Sequence, residues 1–188
     1  RIDGRTRLLL RAAGRANLYR EGRFNDTQVS LQVGPEYRLG PDRLTLSGGI
    51  AQRWYGGRDY SLTYGISGNW QHPLGSRTQL RVDAAINHTE NRPNPLQSGE
   101  DYALSVGIDR AFSSRTGGGL QLSAGRTAAR DPGFSDVTLG GNAYLFREMG
   151  RTTLVGSLGY SRLEADARLL LYTRRRVDDR FTSNLGAT

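Results

Sequence analysis

The stretch from Tyr60 to Trp70 alternates large apolar residues with small polar ones, and this alternation constrains the fold more than any other feature of the chain. One parity carries Tyr60, Leu62, Tyr64, Ile66 and Trp70, and the other carries Ser61, Thr63, Gly65, Ser67 and Asn69. A period of two is the period of a β-strand. The run is also about twice the usual strand length of 5–6 residues in soluble proteins. A long strand with one apolar face and one polar face is typical of a wall between lipid and a water-filled lumen.

The same pattern returns along the chain at regular intervals. Four arginines each follow a tight-turn signal and open a strand: Arg43, Arg77, Arg115 and Arg151. A second series, with more variable spacing, opens the strands between them: Asp26, Asp59, Asp101, Asp136 and Asp179. Each period therefore contains two long strands, a short turn and a longer loop. A propeller blade would have to place four short strands in a similar length, so a meander fits better.

The repeat predicts an all-β fold, an antiparallel up-and-down transmembrane β-barrel with ten long strands. The predicted strands cover approximately residues 5–20, 27–39, 43–55, 60–72, 77–90, 101–112, 118–128, 136–147, 152–163 and 179–188. Short turns should lie at Gly40–Asp42, Leu74–Ser76, Ser113–Ser114 and Met149–Gly150, all at one end of the barrel. The longer loops should lie at the opposite end, which the length asymmetry identifies as the outside.

Aromatic residues cluster near the ends of the predicted strands. Trp54, Tyr60, Tyr102 and Phe181 lie beside the long loops, whereas Tyr37, Trp70 and Phe112 lie beside the short turns. This arrangement predicts the two interfacial girdles of a membrane-spanning barrel. A soluble β-sandwich, the alternative, should instead concentrate its aromatic residues in the middle of the strands, where the core is thickest.

Length and composition set further limits. A chain of 188 residues is expected to form one domain, here the barrel domain over residues 1–188. The sequence contains no cysteine, which excludes disulfides and thiolate–metal sites. The last predicted strand stops at Leu185–Thr188 without a closing aromatic residue. We therefore expect the ten strands to be part of a larger barrel that the sequence leaves truncated.

Charged residues on the polar parity are the candidate lumen charges. Arg7, Arg11 and Arg15 alternate on the first strand and are joined by Arg53 and Arg81. Glu36, Asp83 and Asp109 share the same parity. One interpretation is a mutual salt-bridge network that supports a wet interior. The other is a lumen biased toward anionic or polar cargo.

Catalysis and nucleic-acid binding find little support in the sequence. The net charge is +8, but the arginines are spread over turns, loops and strand faces without an aromatic stacking platform. The two histidines are His72, at a turn, and His88, on the outward parity near a strand end, where a catalytic role is not expected. No cofactor, no metal and no enzymatic activity is predicted.

The segment from Glu164 to Asp179 is the most distinctive loop of the chain. It joins an apolar patch, Leu169, Leu170, Leu171 and Tyr172, to a basic run, Arg174, Arg175 and Arg176. We interpret these residues as external-loop contacts for cargo or for a plug, because an apolar patch is costly to leave in water. The alternative is that Leu169–Tyr172 extends the ninth or tenth strand above the membrane.

The loop, the Trp70–Leu80 hairpin and the repeated Asp-Tyr-x-Leu strand openings together resemble the barrel domain of the surface lipoprotein assembly modifiers (Slam proteins). The Arg174–Asp179 segment carries the most specific part of the resemblance. The resemblance implies a bacterial outer-membrane protein with a periplasmic helical-repeat domain ahead of the barrel. It also implies a lipoprotein or secreted protein as cargo and outer-membrane lipids as neighbours.

Two function classes remain open at this point. In the first, the barrel is a translocator or assembly factor that helps to deliver lipoproteins or other proteins to the cell surface. In the second, it is a passive porin-like or polysaccharide-export pore. Neighbouring genes would separate the two classes, since a lipoprotein gene favours the first and glycan-synthesis genes favour the second.

Overall fold

A computed structural model describes residues 6–169 and 172–187 of the chain. These residues form ten strands and three short 3₁₀ turns. The strands are β1 (Thr6–Asn17), β2 (Asp26–Leu39), β3 (Asp42–Tyr55), β4 (Arg58–Pro73), β5 (Thr78–Asn91), β6 (Gly99–Ala111), β7 (Thr116–Ala129), β8 (Asp136–Met149), β9 (Thr152–Ala165) and β10 (Val177–Ala187). The turns are Gly22–Phe24, Pro95–Gln97 and Pro132–Phe134.

The strands follow one another in a single antiparallel sheet whose spatial order is the order of the chain. The predicted all-β up-and-down meander is therefore confirmed. The connections β2–β3, β4–β5, β6–β7 and β8–β9 all lie at one end, as predicted from the turn signals. Within the described residues β1 pairs with β2 and β10 pairs with β9, so the sheet is open.

The two faces of the sheet differ sharply in chemistry. Register places Leu104 of β6 between Ala84 and Ala124, whereas its neighbour Ser105 lies between Asp83 and Ser123. Within the described part of the chain, Ala165 alone is a buried hydrophobic residue, and no large side chain is fully buried. Most of the large apolar strand residues are instead exposed along one face; Leu104 is 50% exposed and Leu122 is 71% exposed. No second layer covers this apolar face, so the described residues form no conventional core.

The ends of the strands depart in detail from the sequence prediction. β1 ends at Asn17 rather than Arg20, because the chain turns there and the Tyr19 amide donates a hydrogen bond to Asn25 Oδ1. β10 begins at Val177, two residues earlier than predicted, and pairs there with Glu164. The three 3₁₀ turns were not predicted, since turns of three residues leave no periodic signal.

Adjacent loops are joined by backbone hydrogen bonds that continue the sheet beyond the strands. The Arg130 amide donates to Ser98 O, and the Asp166 amide donates to Ser135 O, at 2.9 Å in both cases. Ser98 and Ser135 are also buried, and their hydroxyls accept hydrogen bonds from the amides of Asn91 and Ala129. The loops at this end therefore form a connected rim rather than independent excursions.

Glycine allows a close approach of the backbone at one position in β2. A Cβ atom on Gly34 would lie 1.8 Å from Leu46 O. Pro35 follows, and proline lacks the amide that a regular ladder requires. The β2–β3 ladder is interrupted at Gly34 and Pro35, between the pairs Val33↔Gly48 and Glu36↔Thr45, without a change of register. Only glycine fits at position 34, where the two strands approach closely, without a shift of the backbone.

Candidate functional site on the polar face and the loop rim

A hydrogen-bonded row crosses the polar face of β4–β7. Asn69 Nδ2 donates to Asp83 Oδ1 at 2.6 Å, and Ser105 Oγ donates to Asp83 Oδ2 at 3.3 Å. Gln121 Nε2 then donates to Ser105 Oγ at 2.9 Å. Four adjacent strands thus contribute one polar side chain each. Each polar side chain in the row has a hydrogen-bond partner on a neighbouring strand, and these bonds fix the side chains in position on the face.

A second set of charges adjoins this row toward the short turns. Arg81 lies 3.5 Å from Asp83 and 3.9 Å from Asp109. The Tyr144 hydroxyl donates a hydrogen bond of 2.7 Å to Asp109 Oδ1. Gly119 makes room for this contact, because a Cβ there would lie 2.7 Å from the Tyr144 ring. The contact joins β6 to β8 across β7.

Near the loops, a third row runs across the same four strands. Thr63 and Thr89 hydroxyls lie 3.1 Å apart, and Thr89 Oγ1 donates to Asp101 Oδ2 at 3.3 Å. Thr127 Oγ1 donates to the other oxygen of Asp101 at 3.0 Å. The polar face is therefore hydrogen-bonded at two heights, with small side chains between them.

Those small side chains line a shallow concavity of about 400 Å³ at mid-height on the polar face. Its lining includes Ser67, Ala85, Ala103, Ser123 and Gly125. Ser47 and Ser67 contribute a hydrogen bond of 2.8 Å between their hydroxyls. The middle of the face is thus free of the long side chains that occupy its two ends.

Two acid-centred clusters occupy the polar face of β1–β3. Glu36 is buried, and Arg7 and Arg43 each lie 3.9 Å from one of its oxygens; Glu36 Oε1 accepts no hydrogen bond among the described residues. Asp26 accepts hydrogen bonds of 2.8 and 2.9 Å from Arg53, and Arg15 lies 3.8 Å away. In each cluster one acid is shared by two arginines.

All eight charged residues predicted on the polar parity lie on this face. Seven of them take part in ion pairs between described residues: Arg7, Arg15, Glu36, Arg53, Arg81, Asp83 and Asp109. Arg11 lies opposite Gln32 and is exposed. Sequence reasoning missed Asp26, Asp101 and Tyr144, although strand parity alone would have placed them on the same face.

The two histidines lie on the apolar face, each beside a carboxylate. His72 Nδ1 lies 2.6 Å from Asp42 Oδ1, and the Trp70 indole donates to Asp42 Oδ2 at 3.0 Å. His88 Nδ1 lies 2.6 Å from Glu100 Oε1. These groups flank the apolar band near its two ends, where an aromatic or imidazole ring can be apolar on its body and hydrogen-bonded at its tip.

The loop between β9 and β10 rests on the preceding loop. Arg126 donates two hydrogen bonds to the Asp166 carboxylate, at 2.6 and 2.5 Å. These bonds hold the pKa of the Asp166 carboxyl below its ordinary value. A Cβ on Gly133 would lie 2.9 Å from Leu169 Cδ2, so the Leu169 side chain lies close against the 3₁₀ turn.

Of the predicted loop contacts, Leu169, Tyr172 and Arg174–Arg176 are described, whereas Leu170 and Leu171 lie outside the described residues. Tyr172 is 64% exposed, and the three arginines are exposed. Leu169, Tyr172 and Arg174–Arg176 line a cavity of about 760 Å³ that the Pro132–Phe134 turn closes on one side. β9 ends at Ala165 and β10 begins at Val177, so the described part of Leu169–Tyr172 does not extend either strand.

Across residues 6–169 and 172–187, no group of three or more His, Cys, Asp or Glu side chains is arranged to hold a metal ion. None of the helical turns in these residues is long and apolar enough to cross a membrane.

The fold and the site define an all-β meander with one apolar face and one hydrogen-bonded polar face, the pattern used to build β-barrels. The family model described as "Surface lipoprotein assembly modifier" matches residues 2–135. Because the match covers more than half of the 188 residues, the chain belongs to the surface lipoprotein assembly modifier family. Among curated proteins, no sequence matches the chain significantly.

Proposed function

We propose that this chain forms part of the wall of a bacterial outer-membrane β-barrel that helps to deliver lipoproteins or other proteins to the cell surface. The observation that carries the proposal is the uncovered apolar face of the sheet. Exposed patches on soluble monomers rarely exceed a few hundred Å², whereas here apolar side chains are exposed on every strand from β1 to β10. Outer-membrane lipids are the natural partner for such a surface.

Strand dimensions support a membrane location. Strands of 11 to 16 residues span about 36–54 Å at 3.3–3.4 Å per residue. A tilt of about 45° reduces the height to roughly 25–38 Å, which matches a hydrocarbon layer of about 30 Å. The carboxylate-linked pairs at Trp70–His72 and at His88 lie toward opposite ends of this span. A satisfied polar tip on an aromatic body suits the membrane interface.

The polar face supports a role in transport rather than covalent chemistry. Its hydrogen-bonded rows and mid-height concavity would line a water-filled passage with the small residues at its middle. Membership in the surface lipoprotein assembly modifier family supports a lipoprotein as the cargo. Transport of other exported proteins is part of the same proposal. A periplasmic helical-repeat domain ahead of the barrel is part of the same proposal.

The decisive experiment places one bulky side chain on each face in the full-length protein. Register places Ala103 on the polar face between Ala85 and Gly125, whereas Ala124 lies opposite Leu104 on the apolar face. We expect Ala103→Trp to lower surface display of a co-expressed lipoprotein, measured by flow cytometry, while Ala124→Trp leaves display unchanged. Heat-modifiable migration on gels checks that both variants fold.

The alternative function, a passive or polysaccharide-export pore, gives a different result. In that case Ala103→Trp would lower single-channel conductance in planar bilayers but leave lipoprotein display at the wild-type level. Unchanged display with Ala103→Trp, in correctly folded protein, would contradict delivery through this lumen.

A further inference from the structure

The polar face of β1–β3 has an excess of positive charge. By alternation and register, six arginines of these strands lie on this face: Arg7, Arg11, Arg15, Arg38, Arg43 and Arg53. Two acids, Asp26 and Glu36, share the face with them. The surface formed by these eight residues, called the basic arc below, therefore has four uncompensated positive charges.

The polar face of β5–β8 has the opposite balance. Five acids lie on it, namely Asp83, Asp101, Asp109, Asp136 and Glu148, with the single cation Arg81. Between the two surfaces runs β4, whose polar-face positions from Ser61 to Gln71 are all uncharged. The polar face is thus divided laterally into a positive and a negative half with a neutral boundary.

The field of the acidic half is screened over most of the basic arc at physiological salt. The nearest strands of the two halves, β3 and β5, are two strand spacings of about 4.8 Å apart, roughly 10 Å, whereas β1 and β5 are four spacings apart, roughly 19 Å. The Debye length is about 8 Å at 0.15 M salt. The acids of β5–β8 therefore weaken the positive field at β3 but neutralise little of it above β1 and β2, and the asymmetry persists in solution.

Exposure increases the positive character of the basic arc. The acid side chains are largely shielded from solvent, since Asp26 is 14% exposed and Glu36 is 10% exposed. The arginines above them are open, with Arg15 62% exposed. Arg11 and Arg38 are exposed as well, and neither belongs to an ion pair between described residues. A ligand therefore meets guanidinium groups first.

Spacing identifies the shape of ligand that fits. Arg7, Arg11 and Arg15 recur every fourth residue along β1, about 13 Å apart along the strand. An extended polypeptide presents alternate side chains on one face at the same rise, so acidic residues four positions apart match this ladder. Guanidinium groups bind carboxylates in a bidentate manner, which favours such pairing over diffuse attraction.

We propose that the basic arc binds an acidic, extended segment of the polypeptide that the barrel transports. The inference deepens the proposed delivery function and rests on it. The bound segment would lie along β1 with its carboxylates on Arg7, Arg11 and Arg15, and a further acidic residue would reach Arg38 on β2. The acidic half would repel the same segment and so confine it to one side of the lumen.

The test measures binding of two labelled peptides to the refolded full-length protein in detergent. The probes are a ten-residue Glu-Ser repeat and a ten-residue Lys-Ser repeat, followed by fluorescence anisotropy. The variant Arg11→Ser/Arg38→Ser removes two arc cations without stranding a buried acid. The control Arg20→Ser/Arg130→Ser removes the same charge from exposed loop positions.

We expect the Glu-Ser peptide to bind about tenfold more weakly to the arc variant, since each exposed ion pair contributes a few-fold to affinity. The loop control should bind it like the wild type. Equal losses in both variants, or no preference for the acidic peptide, would overturn the proposal. Binding of an anionic oligosaccharide at the arc without the peptide would also overturn it.

The outcome is separable from that of the delivery function. Lipoprotein display can remain sensitive to Ala103→Trp while peptide binding ignores the arc, and in that case only the arc proposal fails. If display proves insensitive to Ala103→Trp, delivery fails whatever the peptides do.

Discussion

Arg126 on β7 forms a bidentate ion pair with Asp166 in the loop after β9, 40 positions further along the sequence. The arginine belongs to the apolar face of the sheet, and the pair lies where that face ends at the loop rim. In the same loop, the Asp166 amide donates a backbone hydrogen bond to Ser135 O. The β9–β10 loop is therefore held at its base by one charged and one backbone contact.

This ion pair makes the loop sensitive to pH. Because Arg126 lowers the Asp166 pKa, its stabilising contribution is present above the ordinary carboxyl range near pH 4 and is lost as pH falls through the lowered value. We expect the protection of amide hydrogens in 166–169 and 172–176, expressed relative to their intrinsic exchange rate at each pH, to fall below about pH 4. Asp166→Asn should abolish this pH-dependent change. Glu164→Gln is the control and should preserve it, because the partner of Glu164 is Arg162 on the same strand. A step that persists in Asp166→Asn would contradict this assignment.

The sidedness of the sheet predicts unequal costs for arginine at adjacent positions of β6. Leu104→Arg should destabilise the folded full-length protein by about 2–4 kcal/mol, because in the proposed barrel it places a charge on the lipid-facing side near the midplane. Ala103→Arg should cost far less, since register places Ala103 on the polar face between Ala85 and Gly125. Urea unfolding in liposomes measures both. Similar losses for the two variants would show that the faces are reversed or that the sheet is not in lipid.

The close approach at Gly34 predicts a glycine-specific defect. Gly34→Ala should destabilise the barrel by about 1–3 kcal/mol, because the added Cβ would overlap Leu46 O. Gly48→Ala in the adjacent strand serves as the control, since its Cβ would lie 3.9 Å from the nearest atom. Thermal denaturation of the refolded proteins measures the difference. Equal melting temperatures would exclude strain at Gly34.

Replacing Ser135 should have a local effect on the connected loops of the rim. Its hydroxyl accepts a hydrogen bond from the Ala129 amide at 3.0 Å, and the residue is buried. Ser135→Ala should leave that amide without its partner, at a cost of about 1–3 kcal/mol. Faster hydrogen exchange at Ala129 is the expected readout, with Ser113→Ala in an exposed turn as the control. Unchanged protection at Ala129 would contradict a capping role.

Removing part of the β9–β10 loop separates its function from its structural role. Deleting 169–175 in the full-length protein should leave a folded, heat-modifiable barrel, because β9 and β10 remain paired from Val177 onward. Surface display of the lipoprotein should fall, since the deletion removes the exposed Tyr172 and two exposed arginines. Flow cytometry measures display. Normal display would exclude the loop from the mechanism, and loss of the folded barrel would make the loop structural.

Sequence alone determined the strands, their order and the face of each side chain. A two-residue period assigns every strand residue to a face. Tight turns also predict that consecutive strands pair, and such turns precede Arg43, Arg77, Arg115 and Arg151. The eight charged residues predicted on the polar parity consequently lie on one face. Their parity could be read from sequence because it depends on local geometry, not on which strands meet.

Tertiary structure decided which of these residues touch. Asp26 meets Arg53 and Arg15 because the β1–β2 and β2–β3 registers align them, and a slip of one residue would place them on opposite faces. The contact of Arg126 with Asp166, the docking of Leu169 on the Pro132–Phe134 turn and the burial of Ser98 and Ser135 depend on how one loop ends beside the next. Such contacts leave no periodic trace in sequence, because each depends on the relative positions of separate segments.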